Sequence, residues 1–152
     1  MQISFGKHCG RSVEFLVLTE PDYLLWMLRQ KAPTKAMQRV LEEASRLIGV
    51  FDRKPLQRQC SGWGCSNPAT RFSAYTGSPH LEVWCENCRP SSGGADTKKL
   101  RVIRRYDEAL EHVCATCSAR SGGLQSIIAD LAHAKGLPYR AREKDRETFF
   151  RK

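Results

Sequence analysis

Apolar and turn-forming residues alternate in the first part of the chain. Ile3–Phe5 is a short strand-like run, and Gly6 and Gly10 follow it. Glycine adopts positive φ at little cost, so the segment between these two residues favours a tight turn. The apolar run Val13–Leu18 comes next, and the whole pattern predicts either a hairpin or a strand-turn-helix arrangement.

A helix is predicted over about Pro21–Gln30. Thr19 precedes it, Pro21 stands at its first position and Asp22 lies in its first turn, a combination typical of a helix N-terminus. The helix is apolar on nearly every face, which indicates a central, buried position. We therefore expect Tyr23 and Trp26 to pack in the core, although such rings can also stack on nucleic-acid bases.

The next helix has a clearer amphipathic pattern. Thr34 is its expected N-cap and Gly49 its expected left-handed C-cap. The polar segment Arg53–Gln59 that follows contains Pro55 and is typical of a linker. The apolar positions at helical spacing are Met37, Val40, Leu41, Ala44, Leu47 and Ile48.

The first third of the chain also carries three short motifs: Phe5-Gly6-Lys7, Gly10-Arg11 and Glu20-Pro21-Asp22-Tyr23-Leu24-Leu25-Trp26. Together they resemble the compact module at the C-terminus of exodeoxyribonuclease X, which also occurs in small bacterial and phage proteins of the quorum-sensing-regulated virulence factor family. The resemblance implies a β-hairpin-plus-helices domain, here residues 1–52, and an accessory nucleic-acid role. It does not imply nuclease activity, because the acidic catalytic domain of the exonuclease has no counterpart here.

The turn between Gly6 and Gly10 offers a candidate phosphate contact. Lys7, His8 and Arg11 lie at or beside its tip. Two interpretations stay open: these side chains bind nucleic-acid phosphates, or they are simply the polar residues of an exposed turn.

The strongest chemical signal is a set of four cysteines in the middle of the chain. Cys60 and Cys65 are separated by four residues, Cys85 and Cys88 by two, and nineteen residues lie between the pairs. Four thiolates in two close pairs suit a tetrahedral zinc ion, and a closed four-thiolate shell is structural rather than catalytic. The spacing therefore predicts zinc on these four cysteines.

Two strands are predicted between the cysteine pairs. Thr70–Tyr75 and Leu81–Trp84 alternate in polarity on either side of the turn-forming residues 76–80. We expect a zinc-bound β-hairpin of the zinc-ribbon or treble-clef type over residues 56–95. Without a metal, this segment would have few apolar residues and no core of its own. Pro90–Thr97, at its end, is typical of a linker.

A second cysteine pair leaves alternatives open. Cys114 and Cys117 also have two residues between them. They could replace the first pair in the zinc site, form a redox pair, or pack on one face of a helix. We favour packing, because Asp107 is a plausible N-cap for a helix over Glu108–Cys117. We expect a lone thiol at Cys9, and surface or packing roles for His80, His112 and His133.

Residues 96–152 form the third predicted segment and hold thirteen of the 25 basic residues. It begins with a strand-like basic run, continues with two helices, the second closed by Gly136, and ends in a tail that could dock as a short helix. The basic run predicts a phosphate-tracking strip, although cations on an edge strand also discourage aggregation. The cations of the strip are Lys98, Lys99, Arg101, Arg104 and Arg105, and the apolar stripe of the second helix is Leu124, Ile127, Ile128 and Leu131.

Charge and cysteine content narrow the class of protein. The chain has 152 residues, of which 25 are basic and 16 acidic, and the net charge of +9 points to a polyanionic partner. No apolar run approaches the roughly 20 residues of a membrane span, and Met1–Gly6 lacks a signal-peptide pattern. We therefore expect a soluble, cytoplasmic α+β protein whose thiols stay reduced.

Three functions are compatible with these patterns. The first is a small zinc-stabilised nucleic-acid-binding accessory protein of bacterial or phage type, with DNA favoured over RNA. The second is an adaptor or inhibitor that binds a host nucleic-acid-processing protein. The third is a metal-dependent nuclease that uses His80 and Glu82. We expect no enzyme and no small-molecule substrate, because the sequence lacks a phosphate-binding loop, a dinucleotide fingerprint and a hydrolase motif.

Overall fold

The computed structural model describes residues 1–75, 81–88, 100–116 and 123–151. Within them the chain forms the expected α+β fold, with a helical layer and one three-stranded antiparallel sheet. The helices are α1 (Val13–Thr19), α2 (Pro21–Leu28), α3 (Lys35–Arg53), α4 (Tyr106–Thr116), α5 (Gly123–Ala134) and α6 (Glu143–Arg151). The strands are β1 (Arg71–Tyr75), β2 (Leu81–Trp84) and β3 (Leu100–Ile103). No helix in these ranges has the length and apolar character needed to cross a lipid bilayer.

The N-terminal turn leads directly into a helix. Gly6 and Gly10 both have positive φ, 68° and 82°, as a tight turn requires. The Ile3 N–H donates to the Arg11 carbonyl at 2.9 Å, which closes the turn, and the Ser12 hydroxyl then caps α1 by accepting from the Phe15 N–H at 3.2 Å. The turn leads into a helix, as the strand-turn-helix prediction requires, but the residues before it form only an isolated antiparallel bridge, between Gln2 and Ser12, and not the predicted strand.

The predicted burial of α2 on nearly every face is wrong. Leu24 and Met27 face the core one helical turn apart, but Trp26 is 47% exposed and Leu28 57% exposed. A short helix at the edge of a core buries one stripe of side chains, so its remaining apolar residues stay in contact with solvent. Thr19 is the last residue of α1 and does not cap α2.

Helix α3 begins where the sequence predicts and ends later. The Thr34 hydroxyl accepts from the Met37 N–H at 3.3 Å, which confirms the N-cap. The predicted C-cap at Gly49 is wrong, because α3 continues to Arg53. Phe51 explains the extra turn: its side chain is completely buried, and continuing the helix brings it into the core. The fixed φ of Pro55 then prevents further extension.

The sheet shares the hydrophobic core with the helices. Central strand β1 pairs with β2 and β3, and Phe72 lies opposite both Val83 and Ile103 in the register. All three side chains are buried in the main core. The expectation that the cysteine segment has no core without metal is therefore wrong for one face of the sheet. Strand β3, from the third predicted segment, completes a sheet begun in the second.

The predicted linker after α3 is attached to the helical layer. The Gln57 N–H donates to the Ala134 carbonyl at 2.7 Å, at the end of α5, and Leu56 packs against the core. The second predicted linker, Pro90–Thr97, lies outside the described residues.

The helices of the C-terminal segment end and begin near the predicted residues. Asp107 is not an N-cap but lies in the first turn of α4, while Glu108 Oε2 accepts from the Arg104 and Arg105 N–H groups at 2.5 and 3.0 Å. Gly136, with φ of 98°, closes α5 as predicted. The tail forms α6, which docks on the core through buried Phe149 and Phe150.

Helix α1 lies at the centre of the helical layer and packs against α2, α3, α5 and α6. One of its carbonyls needs a distant donor. The helical partner of the Val17 carbonyl would be the amide of Pro21, which has no N–H. The hydroxyl of fully buried Tyr106 donates to this carbonyl at 2.7 Å. One hydrogen bond thus joins α4 to the α1–α2 junction.

We expect Tyr106→Phe to destabilise the fold by about 1–3 kcal/mol, because it leaves the buried Val17 carbonyl without that donor. Urea unfolding followed by circular dichroism measures the change. Tyr139→Phe is the matched control, since Tyr139 is exposed and its hydroxyl accepts from the exposed Arg58 at 3.2 Å. Equal stability of the two variants would contradict this role for Tyr106.

Candidate metal centre

The structure brings the four predicted cysteines together. The sulfur atoms of Cys60, Cys65, Cys85 and Cys88 all lie within 4.8 Å of one another, and the sulfurs of Cys65 and Cys85 are 3.9 Å apart. Tetrahedral coordination with metal–sulfur bonds of about 2.3 Å places ligand sulfurs about 3.8 Å apart. These four residues are therefore positioned to bind a metal ion.

The first cysteine loop, Cys60–Cys65, closes a small two-stranded stem. The Cys60 N–H donates to the Asn67 carbonyl at 2.9 Å, and the Ala69 N–H donates to the Arg58 carbonyl at 2.8 Å. The Ser61 N–H reaches the Val83 carbonyl at 2.8 Å and so fixes the loop to β2. The loop is thus held by the backbone on both sides of the sulfurs.

Gly62 permits the two cysteine loops to meet. A Cβ at this position would lie 2.8 Å from Cys88 Sγ and 3.3 Å from Cys60 Sγ. Any larger residue would push a sulfur out of place. The Gly62 N–H also donates to Cys60 Sγ at 3.3 Å, so the glycine backbone contacts the cluster directly.

The second cysteine loop, Cys85–Cys88, directly follows β2. The Arg71 guanidinium donates to the Cys88 carbonyl at 2.8 Å, so β1 supports this loop from below. Trp84 packs against Cys60 and Cys85 in a small cluster separate from the main core. The outer end of the sheet therefore depends on the cysteines for its packing.

The surroundings of the cluster shift the pKa values of Cys85 and Cys88 in opposite directions. Hydrogen bonding with the sulfurs of Cys65 and Cys85 raises the pKa of the Cys88 thiol to about 12. Burial raises the pKa of Cys85, but hydrogen bonds from the Cys88 and Asn87 backbone outweigh this effect and lower the pKa to about 6. Ionisation of Cys88 in this cluster therefore calls for a nearby cation.

The remaining cysteines and histidines, for which no ligand role was favoured, are described only in part. Cys117 and His80 lie outside the described residues, and the side chain of Cys114 is not described. Cys9 is an exposed free thiol, as expected. His112 is buried, and the ring of His133 packs on Tyr139 with a centroid distance of 3.5 Å.

The predicted basic strip is described only in part. Lys98 and Lys99 lie outside the described residues, and the side chain of Arg101 is not described. The Arg104 guanidinium lies 3.7 Å from the Glu86 carboxylate, and that of Arg105 lies 2.9 Å from Asp107. The phosphate-tracking strip stays a prediction.

The basic turn is exposed at two of its three predicted residues. Lys7 and Arg11 are exposed, and the Arg11 guanidinium lies over the Phe15 ring at 5.3 Å. His8 is buried, with its ring 4.7 Å from that of Tyr23, so it does not belong to the surface of the turn.

Two features of the surface were not predicted. One is a groove between the sheet and the helical layer, formed by two adjoining depressions of ≈ 460 and ≈ 470 Å³ that share Lys54, Pro55 and Lys135. We call it the seam groove. Its lining has one carboxylate among the described residues, that of Asp52, and six basic residues: Arg53, Lys54, Arg104, Arg105, Lys135 and Arg151.

The sequence contains a partial signal for the seam groove. Arg53 and Lys54 are adjacent, but they stand in a segment with the composition of a linker. Lys135 and Arg151 are far away in the chain, and only the tertiary fold brings them together. The second unpredicted feature is Trp63, whose side chain is completely exposed, at 106%.

Comparison of the chain with protein-family models, curated proteins and solved structures finds no match. The resemblance of the first 52 residues to the exodeoxyribonuclease X module therefore rests on its three motifs alone and stays a prediction.

We expect the wild-type protein to retain about one metal ion per chain, and Cys88→Ser to lose it to a mild chelator because three thiolates bind less tightly than four. Elemental analysis before and after dialysis against the chelator measures the metal content. Cys9→Ser is the matched control, since Cys9 is far from the cluster in sequence and exposed. Equal retention by Cys88→Ser and the wild type would contradict the site.

Proposed function

We propose that the chain is a small zinc-stabilised nucleic-acid-binding accessory protein, of the bacterial or phage type that the N-terminal motifs resemble. The seam groove carries this proposal. It combines a positive lining with a position beside the metal-bearing sheet, and it recruits cations from four separate parts of the chain.

Zinc is the metal that best suits the four cysteines. Four thiolates select soft or borderline metals, and a closed tetrahedral set without a vacant position for water is typical of structural zinc. The residues that would hold the ion are Cys60, Cys65, Cys85 and Cys88. Bound zinc would fix the outer end of the sheet and supply no catalysis, so we propose a binding protein rather than an enzyme.

Phosphates are the proposed ligands of the seam groove. Six basic residues and one carboxylate line the groove, and Arg104, Arg105 and Arg151 also pair with exposed carboxylates at its margin. A polyanion that takes the place of these carboxylates releases counterions. Arg53 is one accessible contact, exposed at the end of α3. DNA is the favoured partner, by the association that the N-terminal motifs imply.

The test is a pair of double variants with the same change in net charge. Arg53→Gln/Arg104→Gln removes two cations of the seam groove. Lys35→Gln/Arg39→Gln removes two exposed cations from the other end of α3. We expect the groove variant to bind labelled DNA more weakly, with the slope of log K against log salt reduced by about 1 for each lost phosphate contact.

Fluorescence anisotropy across roughly 50 to 200 mM salt gives both the affinity and this slope. The control variant should retain the wild-type slope. Equal losses in both variants would show that binding follows net charge and not the groove, and a wild type that binds no DNA or RNA at low salt would overturn the proposed function.

One observation favours a protein partner as a second candidate function. Trp26 and Leu28 expose apolar surface on α2, and Trp26 stacks on Tyr23 at 5.1 Å, which holds its ring in place. If this face binds a nucleic-acid-processing protein, affinity purification with the wild type should retain a partner that Trp26→Asp/Leu28→Asp loses. Retention of the same proteins by both would exclude this face.

A further inference from the structure

Trp63 is displayed to solvent in a way that packing does not explain. It is the largest side chain of the first cysteine loop, and it is completely exposed. The other two tryptophans differ: Trp84 is buried against the cysteines, and Trp26 is stacked on Tyr23. Exposing an indole ring to water forgoes the favourable burial that this ring normally provides, so its position calls for an external contact.

The backbone that carries Trp63 is held on both sides. Cys60 and Cys65 belong to the sulfur cluster, and Trp63 lies between them. The Cys65 N–H donates to the Gly62 carbonyl at 3.0 Å, which forms a tight turn, and Gly64 supplies the positive φ of 71° that the turn requires. The loop thus presents the ring from a constrained backbone, which limits the entropy lost when a ligand binds.

The stretch of chain that carries Trp63 is positively charged, which favours a polyanionic ligand. From Arg53 to Phe72 the sequence has no carboxylate and four cations: Arg53, Lys54, Arg58 and Arg71. Four thiolates around a divalent ion, however, carry a formal charge of about −2. Phosphates are therefore attracted to the cations of the stem and groove. Beside the negatively charged sulfurs, an uncharged ring of the ligand is accommodated better than a phosphate.

The first cysteine loop leads, within a few residues, to the wall of the seam groove. Pro68, Ala69 and Thr70 form part of the groove wall. Four residues lie between Trp63 and Pro68, and the distance between the two Cα atoms is at most about 18 Å. A nucleic acid whose phosphates lie in the groove can therefore place a nearby base at Trp63.

We propose that Trp63 stacks on an unpaired base, so that the ligand of this chain is single-stranded nucleic acid or a duplex with unpaired bases. This inference rests on the proposed nucleic-acid binding and specifies its substrate class. Stacking needs an accessible ring face, and the bases of an intact duplex already stack on one another. The tryptophan therefore distinguishes the two forms, whereas the cations of the groove attract both.

The experiment compares two DNA probes of the same sequence. One is a labelled single strand of about 12 nucleotides, within the usual site size of single-strand binding folds. The other is a duplex with both ends closed by loops of inert linker, so that no base is free. The proteins are the zinc-loaded wild type, Trp63→Ala, Trp63→Leu and Trp63→Phe.

We expect Trp63→Ala to bind the single strand roughly 5- to 150-fold more weakly, the range that loss of one stacking contact gives. Its affinity for the closed duplex and its salt slope should equal those of the wild type, because no phosphate contact is removed. Trp63→Phe should retain most of the affinity, and Trp63→Leu should lose it, since leucine is apolar but has no aromatic face.

Zinc content and thermal unfolding check that each variant remains folded, and the full exposure of Trp63 predicts no change in either. Unchanged single-strand affinity in Trp63→Ala would overturn the inference and leave the proposed function intact. Equal losses on both probes, or equal affinity in Trp63→Leu and the wild type, would also overturn it. Absence of binding by the wild type to either probe would overturn the proposed function as well.

Discussion

The C-terminal end of α3 is the point at which the parts of the fold are joined. The ammonium group of Lys135, from the end of α5, donates to the Lys54 carbonyl at 2.6 Å and approaches the Asp52 carbonyl at 3.4 Å. The Asp52 carboxylate accepts from the Tyr106 N–H at 2.8 Å. Phe51 contacts the rings of Tyr106 and Phe149. The last carbonyls of a helix need donors when they are buried, and here the Lys135 ammonium is that donor.

The sheet connects the main core to the candidate metal centre. One face of β1 carries Phe72 into the main core, where Val83 and Ile103 lie beside it. Among the described residues, the outer end of the sheet packs in a small separate cluster of Trp84 and the four cysteines. Loss of an ion bound at the four cysteines would therefore be a local event: it would remove the support of the cysteine loops, while the shared core would continue to hold the strands.

The parts that the sequence predicts best are those with a local chemical cause. The cysteine spacing, the Thr34 cap and the Gly136 closure each depend on neighbouring residues. Gly49 misleads because tertiary burial of Phe51 outweighs its propensity to end a helix. Trp26 misleads because an apolar helix does not reveal which of its faces meets the core. The seam groove has only a partial local signal, the adjacent Arg53 and Lys54, since its other cations converge only after folding.

The cations of the seam groove serve the fold and remain available to a ligand. Lys135 is only 5% exposed and is committed to the end of α3, and its positive charge offsets the helix dipole there. Arg104, Arg105 and Arg151 instead pair with exposed carboxylates. Such exposed pairs contribute at most about 1 kcal/mol each, so a phosphate can replace the carboxylate at little cost. A fold that must neutralise a buried helix end thus acquires a positive groove, and exchangeable arginines from other elements extend it.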